Sequence, residues 1–172
     1  GKLKAIYEFV KTLKDDDIIV QLDGFDVWVN GNLSTAIKYF KKGNHKVLFS
    51  QELDHRFLGL QTYLNKKIYN STCRNKKTIN AGMYMGYKKY LIPIIKRALE
   101  SKETDDQRIF NMLCGEFMNK NVLAIDEKCN IFHNVDGDEK IKKSKSIFVQ
   151  YPGKPSIQRW SRSVTDYSKY IK

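Results

Sequence analysis

The sequence predicts an α/β fold, a mostly parallel sheet flanked by helices, in a single domain over residues 1–172. Three observations predict it. Short apolar runs without alternation, IIVQL at 18–22 and VLFS at 47–50, read as strands covered on both faces. Amphipathic helical patterns alternate with them, as in parallel sheets built from strand–helix units. The chain has 172 residues, 41% hydrophobic and 29% charged, which suffices for one core.

The elements follow in order. Leu3, Ile6, Tyr7, Val10 and Leu13 recur at helical spacing, so 3–13 is a helix. Residues 14–17 are a polar turn, and 18–22 a strand. Residues 34–42 form a helix capped by Ser34 and stopped by Gly43. A second buried strand covers 46–50, and 54–79 reads as loop or short helix. The glycine-punctuated AGMYMGY at 81–87 is a strand. Helices are expected at 88–101, with Pro93 near the start, and at 105–118, where Asp105 and Asp106 suit the positive end of the dipole. Short strands follow at 122–126, 130–133 and 147–151, then the turn Pro152-Gly153-Lys154-Pro155.

The bulk numbers exclude several classes. No apolar run is long enough to span a bilayer. The N-terminus lacks a signal-peptide pattern, and since the chain does not start with Met, the compartment is not read from it. The net charge of +12 reads as a Lys-rich solvated surface, or as a surface for phosphate-bearing ligands. The basic residues are scattered, with no basic arm, so no nucleic-acid partner is expected. Cys73, Cys114 and Cys129 are odd in number and widely spaced, and predict neither a disulfide framework nor a zinc site. Two glycosylation triplets, at Asn32 and Asn70, matter only in a secreted protein.

The chemistry lies at strand ends, where open α/β sheets bind ligands. Asp23 and Asp26 follow the first strand, with Gly24 allowing a sharp turn between them. Two converging carboxylates repel unless a cation lies between them. A hard divalent ion takes such carboxylates together with substrate phosphates. A turn cap at Asp23 and a surface role for Asp26 is the alternative. Asp105-Asp106-Gln107 opens a helix, where carboxylates and an amide can grip sugar hydroxyls or simply cap the helix. Asn80-Ala81-Gly82 sets a polar side chain beside bare backbone that a ligand can approach, and Gly153-Lys154 offers backbone and an ammonium for phosphate.

The order of these pieces carries a resemblance. DGFDV at 23–27, FSQE at 49–52, NAGMYMG at 80–86, DDQRIF at 105–110 and Asp126 followed by IFHN at 131–134 together are similar to GT-A glycosyltransferases, Rossmann-like in architecture. Within that group they resemble the glycosyltransferase domain of procollagen lysyl hydroxylases and its viral and protist relatives. The resemblance covers nearly the whole chain. It implies a metal-dependent transferase moving a hexose, glucose or galactose, from a UDP-sugar to a hydroxyl acceptor such as hydroxylysine or a glycan. It implies Mn²⁺ or Mg²⁺ on Asp23 and Asp26, with Gln150 standing where the family often places a His. Lys4, Glu52, Asn80, Ala81, Gly82, Gln107, Gly153 and Lys154 would bind donor or acceptor, and Asp105 and Asp106 would be catalytic. It also implies strands ahead of the first helix, so that the chain is expected to lack the first strands of the fold. Ala81 replaces a usual Ser. The implied location is the ER lumen for a lysyl-hydroxylase-like protein, or the cytoplasm for a viral or protist one. A catalytically silent GT-A-like domain binding sugar or protein is the alternative reading.

Overall fold

The computed structural model describes residues 1–24, 26–52, 67–74, 77–135 and 144–150. Helix α1 (Lys2–Lys11) leads into β1 (Ile18–Leu22) and the short β2 (Val27–Val29). Helix α2 (Leu33–Lys42), β3 (Val47–Gln51), β4 (Ile79–Tyr87), α3 (Lys88–Leu99) and α4 (Asp106–Asn119) follow. The short strands β5 (Leu123–Ile125), β6 (Phe132–Asn134) and β7 (Phe148–Gln150) complete it.

The larger sheet runs β1-β4-β3-β5 and the smaller β2-β7-β6. The expected mostly parallel sheet is corrected to a mixed one. β4 runs antiparallel to both β1 and β3, whereas β3 and β5 are parallel. In the smaller sheet β2–β7 is antiparallel and β6–β7 parallel. The reason is topological: β1, β3 and β5 share one direction, and β4 is inserted between β1 and β3 in the opposite sense. The carboxyl ends of β1, β3 and β5 therefore meet the start of β4 at one edge.

Both faces of the larger sheet are covered, so β4 is buried from Ile79 to Gly86 and shows no alternation. On one face α1, α3 and α4 pack Val10, Ile94, Ile95, Ile109 and Phe110 against Val47, Phe49 and Tyr84. On the other, α2 and the smaller sheet pack Phe40, Phe132 and Phe148 against Leu48, Met83 and Met85.

β4 is not regular. Phe49 pairs with Tyr84, but the next residue, Ser50, pairs with Asn80. The stretch between bulges away from β3, and the face that β4 turns to each core changes there: Ile79 and Ala81 join one, Met83 and Met85 the other. Bulges of this kind re-aim side chains beside sites.

Two local expectations are corrected. Asn32, not Ser34, caps α2: its side chain accepts from Ser34 N at 2.8 Å. Cys73 and Cys114 form a disulfide, and Cys129 stays outside it as a thiol. An odd cysteine count hid the pair, whose members are 41 residues apart and meet only because the segment before β4 lies across α4. Thr72 seats it, donating to Met112 O at 2.9 Å and accepting from Gly115 N at 2.8 Å.

Candidate active site

Asp23 leaves β1 with its N–H on Gly82 O at 2.8 Å, which fixes the turn against the β4 bulge. Its carboxylate meets Lys2, at the start of α1. The Lys2 ammonium lies 2.6 Å from Asp23 Oδ1 and 2.8 Å from Asp106 Oδ2, tying the β1 end to the first turn of α4. Burial lowers the Lys2 pKa, but hydrogen bonds and charge from Asp106 and Asp23 outweigh it, and the value is raised. Lys2 thus stays a cation through neutral pH. Sequence reading pointed to Lys4, which is exposed. Beneath lies Tyr84, fully buried, its hydroxyl without a hydrogen-bond partner. Burial, with Asp106 and Asp23 adding, drives its pKa far up, so the phenol stays neutral.

Asp26 precedes β2, whose Val27 pairs with Gln150 at the end of β7. Gln150 Nε2 donates to Asp26 Oδ2 at 3.1 Å. Burial raises the Asp26 pKa, the Gln150 bond opposes this, and the Asp23 charge adds to the rise. Gln150 is buried and seated over Gly82, where an added Cβ would fall 2.3 Å from Nε2.

A second cluster lies where β3 ends. Glu52 Oε2 accepts from Asn80 Nδ2 at 3.2 Å and from Gln107 Nε2. Gln107 Oε1 accepts from Ala81 N at 3.5 Å, and Asn80 Oδ1 from Gly82 N at 2.8 Å. Glu52, Asn80, Ala81, Gly82 and Gln107 are therefore one network. Asp105 serves as the N-cap of α4, its Oδ1 accepting from Gln107 N at 2.9 Å and Arg108 N at 3.1 Å. Of the two adjacent acids, Asp106 is the one turned to Lys2. Gly153 and Lys154 lie outside the described residues.

Sequence reasoning missed three contributors. Asn111, fully buried, binds both backbone groups of Ile79 and holds the start of β4. Its signal was a lone Asn in an apolar helical stripe. Tyr69 sits half-buried, its pKa raised by burial and then by the charges of Glu52 and Asp105. Lys2 was passed over because helical spacing does not say which lysine of the first turn reaches the sheet edge.

Among the described residues no group of three His, Cys, Asp or Glu could hold a metal. Carboxamides widen the donor set. Asp26 Oδ1 and Gln150 Oε1 are both buried without a hydrogen-bond partner, as is Asn134 Oδ1 on the strand beside Gln150. Buried oxygens lacking donors beside a second carboxylate fit a hard cation.

A mixed sheet with carboxylates at its carboxyl edge and a bulged strand opposite is the frame of a GT-A glycosyltransferase. Among solved structures the chain is similar to the galactosyltransferase LgtC in complex with donor and acceptor sugar analogs. That likeness has a TM-score of 0.56 and 17% identity, covering 94% of this chain and 66% of that one. It is also similar to apo mouse xyloside xylosyltransferase 1, with a TM-score of 0.53, 11% identity, and 87% and 63% covered. These show the fold. The family model of the PLOD GT domain matches residues 1–149, and the chain belongs to that family. It is 28% identical over 148 residues to human procollagen-lysine,2-oxoglutarate 5-dioxygenase 2, covering 83% of this chain and 20% of the relative. It is 27% identical to the human multifunctional procollagen lysine hydroxylase and glycosyltransferase, covering 76% and 18%. An uncharacterized protein of Acanthamoeba polyphaga mimivirus is 27% identical, with 76% and 28% covered. The chain spans about a fifth of the length of the first of these relatives.

Proposed function

We propose that this chain transfers a hexose, glucose or galactose, from a UDP-sugar to a hydroxyl acceptor such as hydroxylysine or a glycan, with a divalent cation. The observation that carries the reading is the meeting of Asp23, Asp26, Asp106, Lys2 and the Glu52–Asn80–Gln107 network at one sheet edge, in a member of a glycosyltransferase-domain family. Asp23, Asp26 and Gln150 would hold Mn²⁺ or Mg²⁺, whose charge, when bound, offsets that of the diphosphate leaving group. Lys2 orients Asp23 and Asp106 together, so the diphosphate side and the sugar side of the site are set by one ammonium. Asp106, a carboxylate beside the sugar, would stabilise the positive charge that develops as the glycosidic phosphate bond breaks. Glu52, Asn80 and Gln107 offer acceptors and donors for sugar hydroxyls, and the bare Gly82 backbone allows close approach.

The test is UDP release from UDP-glucose and UDP-galactose with Mn²⁺ present. Asp106→Asn is expected to lower the rate about a hundredfold, the scale of one lost electrostatic contact to a transition state. Full activity in that variant with donor and metal saturating would remove Asp106 from the chemistry. A second reading, a silent GT-A domain, is supported by one feature: Asp23 and Asp26 already have protein partners in Lys2 and Gln150. It predicts neither UDP release nor cation binding.

No helix among the described residues is long and apolar enough to cross a membrane. The Cys73–Cys114 disulfide supports an oxidising compartment such as the ER lumen over the cytoplasm.

A further inference from the structure

We propose that a pocket at the far end of β3 from the candidate active site binds the phosphate of a small phosphorylated sugar. The proposal goes beyond the transfer reading and uses none of the groups assigned there.

The pocket has a volume of about 380 Å³, a usual size for a small-molecule site. Separate elements supply its nitrogens. Lys42 ends α2, His45 lies in the turn to β3, and Lys128 and Asn130 come from the loop after β5. Exposed Tyr39 forms one wall. Lys42 and His45 precede the first residue of β3, whereas Glu52 follows its last. The strand between them is about 17 Å long, at about 3.4 Å per residue.

The pocket is basic. From Gly31 to Gln51 the chain has four lysines and no acidic residue. Lys42 and Lys128 form no ion pair among the described residues, whereas Lys2, Lys88, Lys89 and Lys120 each lie within 2.8 Å of a carboxylate. The negative end of the helix dipole accounts for a lysine at Lys42, but not for Lys128 facing the same space from another loop. The lining carboxylate, Asp126, is buried and already engaged: it accepts from Asn130 N at 3.1 Å, Ile131 N at 2.7 Å and Phe132 N at 2.9 Å.

The His45 ring is held in place. It packs over Gly43, where an added Cβ would fall 2.2 Å from Nε2, and against Phe40 with ring centroids 6.0 Å apart. No hydrogen bond engages it among the described residues. Burial lowers its pKa, with Asp126 opposing, so at pH 7 the neutral ring still offers one N–H. Two ammonium groups, that N–H and the Asn130 carboxamide complement a phosphate, whose oxygens accept charge-assisted hydrogen bonds. The Tyr39 ring gives an apolar surface on which a sugar ring can rest and a bare ion cannot.

The test follows the imidazole resonances of the 172-residue chain by NMR at pH 7 and fixed ionic strength. The probes are glucose 6-phosphate, inorganic phosphate and glucose, and the His45 signal is the one lost in His45→Gln. Glucose 6-phosphate is expected to shift that signal saturably at millimolar concentration, inorganic phosphate more weakly, and glucose not at all. Lys42→Gln/Lys128→Gln should weaken glucose 6-phosphate at least about tenfold, the scale of a lost hydrogen bond to a charged group. Lys96→Gln/Lys102→Gln removes the same charge elsewhere and should leave the affinity unchanged. All four lysines are exposed, so both variants should fold. Equal weakening in the two double variants, a shift with glucose as large as with its phosphate, or no saturable shift in the wild type overturns the proposal. Inorganic phosphate binding as tightly as glucose 6-phosphate overturns the part assigned to Tyr39.

Discussion

Asn111 is a polar residue in an apolar place, and its carboxamide accounts for that. Oδ1 accepts from Ile79 N at 2.8 Å, and Nδ2 donates to Ile79 O at 2.9 Å and Gln107 O at 2.8 Å. It joins α4 to the start of β4, and so carries Gln107 and Asn80 into register. Asn111→Ala would strand two buried backbone groups, and is expected to cost about 2–6 kcal/mol in urea unfolding, at roughly 1–3 kcal/mol per unsatisfied group. A loss under about 1 kcal/mol would show that water replaces the carboxamide. His45 sets a pH dependence. Burial lowers its pKa below 6.5, with Asp126 opposing, so folding favours neutral imidazole. Its stabilisation is present above 6.5 and is lost as pH falls through the lowered value. His45→Gln should therefore show a smaller fall in Tm than the wild type on acidification from above 6.5 through the lowered value; equal falls would contradict this. Residue roles were partly legible. Asp23 and Asp26 stood out because carboxylates are rare at the end of an apolar strand. Asp105 and Asp106 could not be told apart, since capping and ligand binding both call for an acid at a helix start, and only the Lys2 contact separates them.

Element boundaries were legible where periodicity was strong, as in α1, α3 and α4, whose apolar stripes face one core. Strand direction was not. Direction is fixed by which strands become neighbours, and nothing in INAGMYMGY says that it runs against both β1 and β3. β2, three residues long and half-exposed, carries no pattern of its own and exists because β7 pairs with it. The same pairing brings Gln150 to Asp26, so the part of the site built by the smaller sheet was visible only as a resemblance. The disulfide was also invisible, because contact across 41 residues follows from tertiary structure. It predicts one free thiol in the denatured, unreduced chain and three after reduction, countable with a thiol reagent. Replacing both cysteines with Ser should cost roughly 2–4 kcal/mol, the usual range for closing such a loop. Three thiols before reduction would contradict the pairing.

The described residues form two cores about a mixed four-stranded sheet, with Asp23, Asp26, Asp106, Lys2, Gln150 and the Glu52–Asn80–Gln107 network at a single edge and the expected Lys4 exposed instead. The sequence pattern led to that edge because α/β sheets bind at carboxyl ends of strands, and β1, β3 and β5 share their direction. It did not lead to the β4 bulge, which lets Asn80, Ala81 and Gly82 cross beneath Asp23 and Gln150. Gly82→Val is expected to displace Gln150 and weaken cation and donor together while the fold survives, which a joint metal and UDP titration checks. At this scale the central claim is that the edge forms one cation-assisted donor site. It is tested most directly by calorimetry of UDP-glucose and UDP-galactose binding, with and without Mn²⁺, on the wild type and on Asp23→Asn/Asp26→Asn. The account predicts heat of binding that requires Mn²⁺ and vanishes in the double variant. No heat in any condition from a folded wild-type sample, or binding indifferent to both aspartates, would contradict it.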